Sequence, residues 1–373
     1  MPKRKAKKET KGAADFASFM AQMNKDDAII NLGEREEKFY KFGDYNLDRA
    51  LGGGLPAGQI YAFQGPPASG KSLAALTISQ QVINDGGRVA YFDTEAKISP
   101  KALSMMGLKN NEGFLHLTIE NLEDTIEKLN EFADSGFFDM LVVDSLDSLT
   151  TDEQEERDIH DGSKVGGYKA KVLSEWLPSV VHRASANECS ILFVQQIRKD
   201  PSAYGSGETT SGGEAIKHNV TTRLRFGPNK AGDAVEGGKL VYQGANVRVL
   251  KTNQGAVPKD PIPVRFYIGD DREWGIDKIN STLDEAIRLG IMAPKSATSH
   301  VYIPCADLCT ALDADEKELT FNGKNNLLAA VSTDEAFFNA IHDLVDEYEK
   351  NNPLEIEMLD EDEIAVDFDE LDE

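Results

Sequence analysis

Cysteine is scarce in this chain, with 3 in 373 residues, a usage that fits a reducing cytoplasm and not a disulfide scaffold. Long apolar runs are missing too, and nothing approaches the length of a membrane span. The basic start, Met1-Pro2-Lys3-Arg4-Lys5-Ala6-Lys7-Lys8, is followed by no apolar segment, which argues against a secretory signal. Positive charge is in short supply, 40 Lys and Arg against 64 Asp and Glu, and the net charge of -24 argues against an indiscriminate nucleic-acid binder. The deficit is uneven, because Glu355 to Glu373 holds 11 acidic residues and no basic one. Any polyanion site must therefore be local, and the tail either competes with it or only keeps the chain soluble. Cys305 and Cys309, with His300 nearby, are either metal ligands or two small apolar residues on one helix face; their spacing misses the usual zinc patterns. Internal repeats are absent.

What is present is an ordinary globular composition and one unambiguous motif. Gly65-Pro66-Pro67-Ala68-Ser69-Gly70-Lys71-Ser72 fits G-x-x-x-x-G-K-[ST] without a mismatch. Gln59 to Phe63 before it reads as a buried strand, and Leu73 to Gln81 after it as a helix. Strand, Gly-rich turn and helix start together aim backbone N–H groups and the positive end of a helix dipole at a phosphate. Lys71 would reach the β- and γ-phosphates, and the Ser72 hydroxyl would ligate Mg²⁺. A nucleotide-binding protein is expected, with Mg²⁺ beside the nucleotide.

Upstream, Phe16, Phe19, Met20 and Met23 fall at i, i+3, i+4 and i+7, so a short helix with one apolar stripe follows the basic arm. It packs either on its own core or on a neighbouring subunit. Asn46 to Leu51 reads as a short helix, and Gly52 to Gly58 as a turn feeding the strand of the phosphate loop. Arg88–Asp93, Met140–Ser145 and Ser190–Gln196 read as further strands, alternating with helices at Glu123–Ala133 and Lys169–Ala186. That alternation implies an α/β fold with a largely parallel sheet covered on both faces. Segments 222–226, 239–250 and 264–268 read as antiparallel additions, with a hairpin turn at 228–238. From Asn280 the pattern changes to an amphipathic helix stopped by Gly290, then a small C-terminal α/β domain with a turn at Phe321 to Lys324. The expected division is 1–35 basic arm and short helix, 36–270 nucleotide-binding core, 271–350 small domain, and 351–373 acidic disordered tail.

Ligands of an open parallel sheet gather at the carboxyl ends of its strands. Asp144, after four apolar residues, suits a carboxylate that holds Mg²⁺ through its waters, with a helix-capping aspartate as the alternative. Glu95, ending the strand of Phe92, could orient and deprotonate an attacking water. Gln196, ending the strand from Ser190, could bond the γ-phosphate and relay the nucleotide state into the loop beyond. Spacing alone leaves both of these open as ordinary turn residues. Two loops follow, about 155–169 and about 198–217. The second is Gly- and Ser-rich and expected to lack regular structure. It either tracks a single-stranded backbone, with Tyr204 stacking on bases, or serves as a lid over the nucleotide.

These residues resemble the RecA-type DNA strand-exchange recombinases over roughly residues 29 to 290. The resemblance rests on Leu47-Asp48-Arg49-Ala50-Leu51-Gly52-Gly53-Gly54-Leu55-Pro56-Ala57-Gly58, Phe92-Asp93-Thr94-Glu95, Val142-Val143-Asp144-Ser145 and Gln195-Gln196-Ile197-Arg198 in family order. Most specific is Glu208-Thr209-Thr210-Ser211-Gly212-Gly213 followed by Ala215 and Lys217, which looks like the end of the family's second DNA-binding loop. The resemblance implies an ATP-dependent filament on single-stranded DNA that pairs it with a homologous duplex. It implies Glu95 as the water activator, Gln196 as the coupler of γ-phosphate to DNA affinity, and Phe16, Phe19, Met20 and Met23 as the polymerisation helix. It further implies DNA contacts at Lys164, Gly166, Lys171, Arg198, Tyr204, Gly205, Thr209, Thr210, Gly212 and Gly213. Partners implied are single- and double-stranded DNA, further copies of the chain, a single-strand-binding protein and a recombination mediator, with no membrane.

Three departures stand out. Lys251 matches one of two interface lysines of the bacterial pattern, but the second position is Asn253. Residue 99 is Ser and residue 102 is Ala where bacterial proteins place groups against adenine. With the acidic tail and altered C-terminal domain, the chain looks more like a phage recombinase of the UvsX type, acting in the host cytoplasm. The rival expectations are a RecA-fold helicase or motor, which would form closed rings, and an ATP-gated structural filament with little hydrolysis.

Overall fold

The computed structural model describes residues 37–155, 165–199, 208–210, 213–254, 257–296 and 298–351. The basic arm, Phe16, Phe19, Met20, Met23, Lys164, Tyr204, Gly205, Gly212 and the acidic tail lie outside the described residues. The chain divides at Lys38 into two units, and the elements below all fall in the second.

The first elements build the approach to the phosphate loop. They are β1 (Phe39–Tyr40), α1 (Tyr45–Ala50) and β2 (Leu55–Pro56), with β1 and β2 paired antiparallel. Asp44 caps α1, its carboxylate accepting from Leu47 N at 3.0 Å. The Asp48 carboxylate ties back the preceding turn, accepting from Phe42 N at 2.7 Å and Gly43 N at 2.8 Å. At Gly54 (φ +127°) a Cβ would sit 2.7 Å from the Tyr40 carbonyl oxygen, so the Gly-rich run exists to let β2 fold back on β1.

Burial pushes the Asp44 carboxyl up to about 6, against the pull of its amide bonds from Leu47 and Asn46. A carboxyl whose folded pKa is raised binds more protons folded than unfolded, so its contribution to stability falls as pH rises from about 4 to 6. Asp44→Asn keeps the cap and cannot titrate. Its melting temperature relative to the wild type should therefore climb between pH 4 and pH 7; a flat or falling difference would show that Asp44 ionises without cost.

The main sheet runs β13-β12-β11-β9-β3-β7-β6-β4-β5. Its strands are β3 (Ile60–Gly65), β4 (Val89–Asp93), β5 (Phe114–Leu117), β6 (Met140–Asp144), β7 (Ser190–Lys199), β9 (Thr222–Pro228), β11 (Lys239–Lys251), β12 (Ile262–Tyr267) and β13 (Gly275–Ile276). Two short strands pair off its path, β8 (Glu208–Thr210) with β7 and β10 (Ala234–Glu236) with β11. All neighbours from β9 through β5 are parallel. The strands β3, β4 and β6 are buried at every position, as their unbroken apolar runs require of strands covered on both faces.

One face carries α2 (Lys71–Asn84) over Tyr61, Phe63, Leu224 and Phe266. There Phe63 lies between Phe42 and Phe226, with ring centroids 5.9 and 5.3 Å away. The other face packs Ile60, Ala62, Leu141, Val143 and Phe193 with Leu129 of α4 (Leu122–Ser135), Leu173 and Trp176 of α6 (Val165–Ala186) and Ile216 of α7 (Gly213–Asn219). Burying such a side chain contributes about 1.5–3 kcal/mol, so both faces are needed to hold the sheet. Short helices α3 (Pro100–Met105) and α5 (Asp152–Glu155) fall within the connections.

The C-terminal elements are α8 (Lys278–Arg288), β14 (Met292–Pro294), β15 (Val301–Pro304), α9 (Ala306–Leu312), β16 (Phe321–Asn322), α10 (Lys324–Thr333) and α11 (Glu335–Asn351). They enclose their own core of Leu283, Ile291, Leu308, Leu327, Phe337 and Ile341.

Five expectations are corrected. Strand β9 is not an antiparallel addition but the last parallel strand, beside β3, because α7 carries the chain across before it enters the sheet. The 198–217 segment is not wholly irregular, since β7 runs on to Lys199, β8 pairs back on it at Ile197, Arg198 and Lys199, and α7 begins at Gly213. Helix α6 starts at Val165 and not Lys169, so Gly166 lies in its first turn. Residues Phe321–Asn322 form a strand, pairing with Val301 and Tyr302, where a turn was expected. Cys305 precedes α9 as its N-cap, with Sγ accepting from Leu308 N at 3.4 Å, so only Cys309 lies within the helix.

Candidate nucleotide site

The phosphate loop leaves β3 at Gly65 and enters α2 at Lys71. A Cβ at Gly65 would lie 2.2 Å from the Phe226 carbonyl oxygen on β9, so only glycine permits this close passage. Gly70 caps α2 with φ +95°. Lys71 Nζ donates to the carbonyls of Gly65 (2.8 Å) and Pro66 (2.7 Å), which holds the ammonium across the loop. Burial pushes its pKa down, and the charges of Asp144, Asp147 and Glu95 oppose that.

Ser69 Oγ is fully buried without a hydrogen-bond partner, so a polar atom inside the loop awaits one. The loop opens on a cavity of about 370 Å³. Its walls include the apolar side chains of Leu73, Ile98, Ala102 and Trp274 besides Lys71 and Asp144. The group at residue 99 is spent locally, because Ser99 Oγ caps α3 by accepting from Ala102 N at 3.1 Å.

The strand ends bring the expected carboxylates to this cavity. The β4–β6 register sets Asp93 beside Asp144. Asp144 accepts from Tyr91 OH at 2.8 Å and is bonded by Ser72. Burial pushes the Asp144 carboxyl up, the bonds from Ser72 and Tyr91 pull it down, and the charges of Glu95 and Asp93 push it up again. The net rise means that crowded carboxylates meet beside a hydroxyl, a donor set that a divalent cation would relieve. Among the described residues no three His, Cys, Asp or Glu groups converge as a metal site. Mg²⁺ characteristically takes one or two carboxylates and completes its shell with phosphate and water, and Asp144 with the Ser72 hydroxyl is a donor set of that kind.

Glu95 lies in the turn after β4, two residues beyond the strand end. Its Oε1 accepts from Ser145 Oγ at 3.0 Å and from Gln196 Nε2 at 3.0 Å, and its Oε2 pairs with Lys97. Burial raises its pKa, but the bonds from Lys97 and Ser145 and the Lys97 charge outweigh that, so the group stays below its ordinary value. The turn is shaped from below by Asp93, which accepts from Lys97 N (3.2 Å) and Ile98 N (3.0 Å).

Gln196 is not the last residue of its strand, since β7 continues through Lys199 and carries β8. Lys71, Ser72, Asp144, Glu95 and Gln196 thus meet. Lys251 does not join them, and its Nζ donates to the Lys217 and His218 carbonyls at 3.1 Å each, where it complements the negative end of α7. Of the expected DNA contacts, Arg198 is on β7, Thr209 and Thr210 on β8, Gly213 opens α7, and Lys171 is exposed on α6 within 3.9 Å of Glu175. Sequence reasoning missed Tyr91, Ser145 and Asp147. A polar residue within three positions of a strand's carboxyl end was the available signal.

Comparison with known proteins gives the family. Residues 16–269 match the RecA N-terminal domain family. Protein RecA of Caulobacter vibrioides is 32% identical over 273 residues, covering 71% of this chain and 73% of the relative. Protein RecA of Mannheimia haemolytica is 31% identical over 281 residues, covering 74% and 73%. With its phosphate loop, strand-end carboxylates and parallel sheet in one frame, the chain belongs to the RecA family.

Proposed function

We propose that this chain is a DNA-dependent ATPase that assembles as a helical filament on single-stranded DNA and catalyses homologous pairing and strand exchange. One observation carries the reading. Gln196, bonded to Glu95 at 3.0 Å in the nucleotide cavity, sits on the strand whose next three residues hold β8. A change at the γ-phosphate end therefore has a direct mechanical route to the Thr209–Thr210 segment.

In this reading the amides of 65–72 and the Lys71 ammonium bind the phosphates of ATP, and Ser72 and Asp144 hold Mg²⁺. When bound, Mg²⁺ supplies charge neutralisation for the transferring phosphoryl group. Glu95 orients the attacking water through one carboxylate oxygen and takes its proton. The walls formed by Leu73, Ile98, Ala102 and Trp274 receive the base by apolar contact. DNA contacts at Lys164, Gly166, Lys171, Arg198, Tyr204, Gly205, Thr209, Thr210, Gly212 and Gly213 belong to the proposal. So do a polymerisation helix at Phe16 to Met23, Lys251 as an interface lysine, and the division into arm, core, small domain and tail. Affinity with phage recombinases of the UvsX type is favoured by Asn253 and by the acidic C-terminal run.

The reading is tested by hydrolysis rates with and without single-stranded DNA, and by joint-molecule assays with homologous and heterologous duplexes. Stimulation by DNA and products from the homologous duplex alone are expected. Equal rates with and without DNA would overturn the reading, and negligible hydrolysis in both would point to the alternative of an ATP-gated structural filament.

A further inference from the structure

Strand β6 ends at Asp144, paired with Val194 of β7, and Leu146 N then accepts one more rung by donating to the Val194 carbonyl at 3.0 Å. Backbone groups along a strand alternate between its two neighbours. The next donor on the β6 side is therefore the Gln196 N–H, and β6 has no residue left to receive it. The Asp147 carboxylate receives it at 2.6 Å, so a side chain extends the ladder one rung beyond the strand. An N–H bond to a carboxylate is charge-assisted and roughly twice as strong as a neutral one.

The turn that presents Asp147 is itself fixed on the nucleotide side. Ser145 Oγ donates to Glu95 at 3.0 Å, Ser145 N donates to Thr94 Oγ at 2.8 Å, and Ser148 Oγ donates to the Ser145 carbonyl at 2.9 Å. Toward α6, Lys169 Nζ donates to the Leu149 carbonyl at 2.9 Å. The Asp147 charge also reaches Lys71 in the phosphate loop. Gln196 is consequently held twice, by Asp147 at its backbone and by Glu95 at its side chain, and both carboxylates stand on the phosphate side.

We propose that Asp147 is a positioning residue that locks the Gln196 backbone to the 145–149 turn, so that movement of this turn at the phosphates is delivered to β7 and β8. The proposal rests on the reading that nucleotide sets DNA affinity, and it assigns the link that transmits it. Without the backbone clamp, Glu95 reaches Gln196 through the rotatable bonds of its side chain, while the Gln196 backbone keeps its ladder to Gly65 of β3. The strand can then stay still while the amide swings.

Full-length wild type, Asp147→Ala and Asp147→Asn are compared. Asp147→Ala should keep ADP affinity within about threefold while the ratio of oligo(dT) affinities, with a non-hydrolysable ATP analogue against ADP, falls by about tenfold. Asp147→Asn retains an acceptor oxygen and should recover most of that ratio. Hydrogen exchange of the Gln196 amide, measured without DNA, should speed up by about tenfold in Asp147→Ala and by less in Asp147→Asn. An unchanged affinity ratio in Asp147→Ala overturns the proposal, as do equal losses in both variants accompanied by lost ADP affinity. If the wild type shows no nucleotide-dependent DNA affinity, the proposed function fails instead. The exchange rates then decide separately whether Asp147 holds Gln196, and unaltered exchange overturns the clamp.

Discussion

Replacing Glu95 by Gln should leave ATP and DNA binding in place while steady-state turnover drops by about 10²–10⁴-fold, the range that a positioned general base contributes. The substitution is nearly isosteric. Its amide oxygen can still accept from Ser145 Oγ and Gln196 Nε2, the two bonds that now converge on Oε1. The pair with Lys97 is lost, but Lys97 is largely exposed, so that loss is worth little. What the amide cannot do is accept a proton from water. Because the Glu95 carboxyl is held below its ordinary value, the wild type should keep the base ionised, and the acid limb of the rate profile should lie below the usual carboxylate range. Binding measured with a fluorescent nucleotide, beside single-turnover hydrolysis, separates the two effects. Turnover within twofold of the wild type would remove Glu95 from this role.

The second large effect concerns stability. Glu285 on α8 is 5% exposed, and its Oε1 accepts from Arg49 Nη2 at 2.6 Å and from Arg288 Nε at 2.8 Å. Arg49 belongs to α1, and its Nε donates to Glu349 of α11 at 2.9 Å. One guanidinium thus bridges two C-terminal helices to the segment leading into the phosphate loop. Removing one member of a buried pair costs about 3–5 kcal/mol when the partner is stranded. Here Arg49 retains Glu349 and Arg288 has solvent, so Glu285→Ala should cost about 2–4 kcal/mol. It should appear as a lower urea midpoint with no change in slope. A midpoint equal to the wild type would make the bridge incidental.

The phosphate loop and the strands around it were legible because their signals are local. An unbroken apolar run, a Gly-rich turn and a carboxylate at its end are read within ten residues. The direction of β9 was not legible, since it depends on α7, whose start lies in a Gly- and Ser-rich run with little helical signature. Asp147 escaped for a related reason. Its partner is 49 positions away, and nothing in the spacing of a turn aspartate reveals that β6 stops one rung short of Gln196. The cap that Lys251 places on α7 within its own chain was not legible either, because α7 was not anticipated.

The two ends of β7 differ in how much must break before they open. Its first half is flanked by β3 and β6 and roofed on both sides, so opening it means melting the domain. Among the described residues, its last three pair with the short β8 alone. Local unfolding can therefore begin there at a small fraction of the global free energy. Such an arrangement lets the end of β7 and the paired β8 be remodelled many times over the life of one folded molecule while the phosphate loop, anchored on β3, is never put at risk.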